Sequence, residues 1–99
     1  MPVVYSVKFT QAARAELINA QNWYEGEAGL ARHFSNAIGA LIEWMRDNPP
    51  QFPTVYKNVR RALLRRFLYS LFFVLEADAL IVIACFHASR DPLQLQDQT

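Results

Sequence analysis

The chain has 99 residues, too few for two ordinary domains, and reads as a single domain over 1–99. Ten Lys and Arg against nine Asp and Glu leave a formal charge of +1, without the broad positive excess of a protein whose affinity comes from phosphate contacts, which argues against direct sequence-specific nucleic-acid binding. Hydrophobic residues at 53 % and aromatics at 13 % either fill one dense core or leave apolar surface for a partner.

Val3 to Phe9 alternates, with Val3, Tyr5, Val7 and Phe9 on one side, the period of a strand. Thr10 follows as a helix N-cap, and Ala13, Leu17, Ala20 and Tyr24 then mark one face of a first amphipathic helix. Gly26 and Gly29 bracket a short break. Leu30, Phe34, Ile38, Leu41 and Met45 mark a second helix that Pro49 and Pro50 end, so the two form a hairpin. Asn48 to Thr54, with three prolines, reads as a loop. Val59 to Phe67, Tyr69 to Glu76 and Leu80 to His87 are rich in β-branched, aromatic and leucine residues, and short links join them into antiparallel neighbours. The order βααβββ predicts an α+β fold, a helix hairpin packed on a mostly antiparallel four-stranded sheet.

Chemistry-bearing motifs are scarce. No glycine-rich phosphate loop is present, since Gly26, Gly29 and Gly39 lie in or between helices, and no cofactor is implied. His33 and His87 have no second ligand at metal-binding spacing, and no metal site is expected. Cys85 is the single cysteine, which excludes an intrachain disulfide and agrees with a reduced cytoplasmic setting. The opening MPVVYSVKF has no signal-peptide form, and no apolar run of about 18 residues offers a membrane span.

Lys57, Arg60, Arg61, Arg65 and Arg66 fall within ten residues that contain no acid. Strand alternation puts Arg61 and Arg65 on one face and Arg60 and Arg66 on the other. The stripe is either edge protection or a surface for an anion or partner. Trp23 and Trp44 lie off the regular apolar rows of the helices and are candidate partner contacts, with core filling as the alternative. His87, beside Ser89 and Arg90, is either structural or a proton carrier.

Taken in order, these pieces resemble the RelE/ParE toxin superfamily along essentially the whole chain. The matching segments are the first strand, QAARAELINAQNWY, ARHFSNAIGALIEWM followed by NPP, and VRRALLRRFLYSLFFVLEADALIVIACFHASRDP, the last being closest to the ParE branch. The resemblance implies the toxin of a type II toxin–antitoxin module of the plasmid-stabilisation kind, held in a hetero-oligomer by a cognate antitoxin that buries apolar residues in grooves beside the sheet and hairpin. ParE-like members inhibit DNA gyrase, whereas RelE-like members are ribosome-dependent endoribonucleases. Phosphodiester cleavage needs cations for the pentacovalent phosphate and a proton carrier. Arg61 and Arg90 could match two of the RelE-like cations and His87 could move protons, but Ser70 stands where a further catalytic Arg is expected and Leu95 to Thr99 contain no Tyr. The incomplete set favours the inhibitor reading over an enzyme. In that reading Arg65, Arg66 and Arg90 contact the target, and Trp23 and Trp44 contact the antitoxin. A plain interaction module without toxicity is the third alternative. Leu93, Gln94 and Leu95 follow Arg-Asp-Pro where many relatives have an aromatic.

Overall fold

The computed structural model describes residues 4–27 and 29–87. The strand β1 (Ser6–Phe9) leads into α1 (Gln11–Gly26) and α2 (Ala31–Asp47); a single 3-10 turn (Pro49–Gln51) then precedes β2 (Thr54–Tyr56), β3 (Val59–Leu64), β4 (Tyr69–Glu76) and β5 (Ala79–His87). The strands form one five-stranded sheet in the order β1-β5-β4-β3-β2. Only β1 and β5 run parallel; the other pairs are antiparallel, as expected. The α+β class and the helix hairpin on a mostly antiparallel sheet match the sequence reading, with five strands in place of four.

The additional strand is Thr54–Tyr56, whose first residue falls in the proline loop expected from the sequence and whose other two fall outside any expected element. Proline has no N–H for the ladder but is tolerated at an edge, and here Pro53 contributes only its carbonyl, which accepts from the Arg61 N–H at 3.0 Å. Thr54 and Tyr56 then pair with Arg60 and Val59 across the two-residue turn Lys57–Asn58, with an irregularity in register at Val55. At the other end β3 stops at Leu64, short of the expected Phe67. Arg65 to Leu68 form the turn into β4, with Leu68 in the left-handed region at φ 52°. A leucine there costs about 1–2 kcal/mol relative to glycine.

Thr10 joins three elements. Its hydroxyl oxygen accepts from the Ala13 N–H at 3.1 Å, capping α1, and its O–H donates to the Ile83 carbonyl at 3.3 Å. That carbonyl belongs to a β-bulge, where Phe72 faces Ala84 while Phe73 faces Val82. The amphipathic rows behave as their spacing requires. Ala13, Phe34, Ile38, Leu41 and Met45 are buried against Ala62, Leu71, Phe73, Leu80 and Val82 of the sheet. Aromatic rings complete this core: Phe34 lies 4.7 Å from Tyr24, 5.3 Å from Phe67 and 5.2 Å from Tyr69. The opposite sheet face carries a second cluster of Val59, Phe72, Ile83, Ala84 and Phe86.

Arg60 faces the helix side, paired with Phe73, and its guanidinium donates to the carbonyls of Phe52 at 2.6 Å and Pro50 at 3.2 Å. It ties the proline loop to the sheet. Arg60→Met keeps the apolar stem and removes the donors, and is expected to lower stability by about 1–2 kcal/mol in urea unfolding.

Candidate functional site

The turn between β3 and β4 brings Arg65 and Arg66 to one end of the sheet and divides them between two apolar surfaces, while Lys57, Arg60 and Arg61 stay at the other end of β3. On one side, α2 and β3 leave a groove of ≈ 460 Å³ lined by Ala37, Ala40, Leu41, Trp44, Leu63, Leu64 and Arg65. It continues into a smaller pocket of ≈ 280 Å³ that shares Trp44, Leu63 and Arg65 and adds Phe52, Pro53 and Arg61. The groove exists because β2 pairs only with Val59 and Arg60, so Ala62 to Leu64, paired with β4 on one side, have no strand on the other among the described residues. Trp44, 52 % exposed, stands on Phe52 with ring centroids 5.1 Å apart and forms its wall.

On the other side, Trp23, Tyr24, Glu27 and Leu30 from the hairpin meet Arg66, Phe67 and Leu68 around a pocket of ≈ 410 Å³. Trp23 is 61 % exposed and packs edge-on against Tyr24 at 4.9 Å. The Arg66 guanidinium lies 5.5 Å from the centre of the Phe67 ring, which orients it without neutralising it. Among the described residues neither Arg65 nor Arg66 has a salt bridge; the ion pair found there joins Arg46 and Glu43 at 3.6 Å. Both tryptophans expected from the sequence as partner contacts are therefore exposed, and each stands beside one of the three arginines expected to face the target, Trp44 beside Arg65 and Trp23 beside Arg66.

His87 opens on a third pocket, ≈ 410 Å³, with Glu16, Asn19, Tyr69 and Cys85 among its lining. Glu16 anchors α1 here. Its carboxylate accepts from the Cys85 N–H at 3.0 Å and its carbonyl accepts from the Tyr69 hydroxyl at 3.3 Å. Burial, and then the negative charge of Glu16, push the Cys85 thiol well above its ordinary range, so it is a protonated, inert group. Because the folded-state value is raised, its contribution to stability is complete below the unfolded thiol value of about 8.5 and declines as the pH rises beyond it. Stability measured in urea is expected to fall from pH 8 to pH 10, less so in Cys85→Ala. A fall of equal size in both proteins would show that the thiol does not contribute.

Of the candidate RNA-cleaving residues, Arg61 and His87 do not converge. Arg61 pairs with Phe72 and shares the outer face with it; His87 pairs with Tyr69 and shares the helix-side face. Two strand spacings, about 10 Å, and the thickness of the sheet lie between them. Ser70 is 2 % exposed, between Leu63 and Phe86. Arg90 lies outside the described residues. Among the described residues no group of acids, histidines and cysteine could hold a metal, and no helix is long and apolar enough to cross a membrane.

Comparison with known proteins decides the family. The profile of the ParE toxin of the type II toxin–antitoxin system parDE matches residues 7–92. The chain belongs to the ParE toxin family. A chain from the chromosomal ParDE TA system of P. aeruginosa superposes with a TM-score of 0.76 at 19 % identity, covering 89 % of this chain and 100 % of that one, and establishes the shared fold. No curated protein matches the sequence. This ParE-family chain thus presents two exposed tryptophans, and two arginines without a salt bridge among the described residues, around one turn. Leu68 lines the Trp23 pocket and was not singled out in the sequence, because a left-handed leucine carries no turn signal of its own.

Proposed function

We propose that this ParE-type toxin inhibits DNA gyrase by protein contact in the cytoplasm, and that a cognate antitoxin neutralises it in a toxin–antitoxin hetero-oligomer. The observation that carries the inhibitor reading is the separation of Arg61 and His87 on opposite faces of the sheet. A phosphate held by Arg61 is out of reach of the proton carrier that cleavage requires, since acid–base catalysis acts within hydrogen-bond distance. Ser70 is a neutral side chain and is buried, so this position offers a phosphate neither a cation nor access.

Arg65 and Arg66, with Arg90, form the basic part of the target surface. Trp44 and Trp23 anchor apolar side chains of the antitoxin. Because Trp44 and Arg65 line one groove, and Trp23 and Arg66 one pocket, an antitoxin seated on the tryptophans covers the arginines as well. Neutralisation follows from overlap, without a conformational change in the toxin.

The test is a supercoiling reaction with gyrase and relaxed plasmid, run beside primer extension on messenger RNA in a translating extract. Purified toxin is expected to block supercoiling and leave the message intact, and the polypeptide of the adjacent antitoxin frame is expected to restore supercoiling. Normal supercoiling at large toxin excess, with codon-linked cuts that His87→Ala removes, is the result that would overturn the reading.

A further inference from the structure

We propose that Leu68 is the apolar anchor of the target surface, and that the occupant it fits is an acidic face of the target protein carrying an apolar recess. The proposal rests on the reading that the toxin acts by protein contact.

Three residues other than glycine take left-handed backbone among the described residues, each in a turn between strands: Lys57 at φ 50°, Leu68 at φ 52° and Ala77 at φ 53°. Lys57 and Ala77 are a charged and a small side chain, as exposed turns ordinarily carry. Leu68 differs, because it is a large apolar side chain left 52 % exposed. It bears backbone strain and an apolar surface in water at once, and glycine would relieve both. About half of the side chain stays in water within the described fold, so packing there recovers only part of these costs. The position makes sense for a side chain whose burial comes from another molecule.

Its surroundings name that molecule's chemistry. Leu68 shares its pocket with the exposed Trp23 and with Arg66, and Arg65 lies three residues before it in the same turn. Neither arginine is paired with an acid among the described residues, and Glu27 is the one carboxylate in the pocket lining. An apolar knob with Arg66 in its own pocket and Arg65 in the same turn, facing the neighbouring groove, complements carboxylates around a recess. A second copy of this chain is a poor occupant, since symmetric pairing through this patch would set arginine against arginine.

Leu68→Gly and Leu68→Asn both suit left-handed backbone and remove the anchor; Lys57→Gly relieves the same strain in another turn and leaves the anchor in place. The readouts are the melting temperature, the inducer concentration that arrests growth of cells lacking the antitoxin, with toxin level matched by immunoblot, and inhibition of purified gyrase. Leu68→Gly is expected to melt about 3–6 °C higher yet need roughly tenfold more toxin for arrest, while Lys57→Gly gains stability and keeps full potency. Unchanged potency in both Leu68 variants overturns the proposal, as does equal loss in Lys57→Gly. So does loss of neutralisation by antitoxin with arrest intact, which would make Leu68 an antitoxin contact. If wild-type toxin arrests growth without touching supercoiling, the gyrase reading fails and the arrest readout still decides the anchor. If wild-type toxin does not arrest growth, both fall.

Discussion

Phe34→Ala is expected to destabilise the toxin by about 3–5 kcal/mol, the range for emptying a fully buried aromatic site. Phe34 is 0 % exposed and touches Tyr24 of α1, Phe67 of the β3–β4 turn and Tyr69 of β4, so its ring joins both helices to the sheet at one point. These neighbours are rings carried by three separate elements, and they cannot collapse into the space together. A domain of this size has total stability of about 5–15 kcal/mol, and each kcal/mol moves the melting temperature by about 4–8 °C. A circular-dichroism melt is therefore expected to fall by roughly 15 °C or more, with growth arrest lost alongside it. Phe34→Leu, which fills much of the volume, is expected to recover most of the loss. A fall of only a few degrees in Phe34→Ala would mean that the hairpin is not fastened to the sheet through this ring.

Arg65→Glu with Arg66→Glu is expected to abolish toxicity while leaving the fold intact. Both arginines sit in the turn with no acid paired to them among the described residues, so reversing them breaks no ion pair there; the contact of Arg66 with the Phe67 ring is worth at most about 1 kcal/mol. At a surface that meets carboxylates, two reversals convert attraction into repulsion costing several kcal/mol, a loss of potency of about 100-fold or more. The contrast between an unchanged melt and a lost growth arrest is what matters. A double variant that remained fully toxic would remove both arginines from the target surface, and one that failed to fold would make them structural.

The helices were legible because both carry an unbroken apolar row with a stop signal. Thr10 is a cap that accepts from Ala13, and Pro49 ends α2 with Met45 still buried. Alternation in β3 correctly separated Arg60 from Arg61, but it could not say which face the hairpin covers, and so could not show that Arg60 binds loop carbonyls while Arg61 faces outward. Three things were hidden for local reasons. The strand Thr54–Tyr56 is short and preceded by proline, with most of its signal in two residues. The end of β3 carries no glycine, because Leu68 takes the left-handed position that normally marks a turn. The separation of Arg61 from His87 depends on pairing across three strands and a bulge at Ile83–Ala84, and register of that kind is set by packing between elements distant in sequence. Exposure of Trp23 and Trp44 was readable from their positions off the apolar rows; their placement beside Arg66 and Arg65 was not.

Contact inhibition is tested most directly by calorimetric titration of purified toxin into DNA gyrase at about 50 and 200 mM salt. Saturable binding that weakens as salt rises, and that the double arginine reversal eliminates, is the expected result. No detectable binding at either salt concentration, from a preparation that cuts messenger RNA on ribosomes, would contradict it.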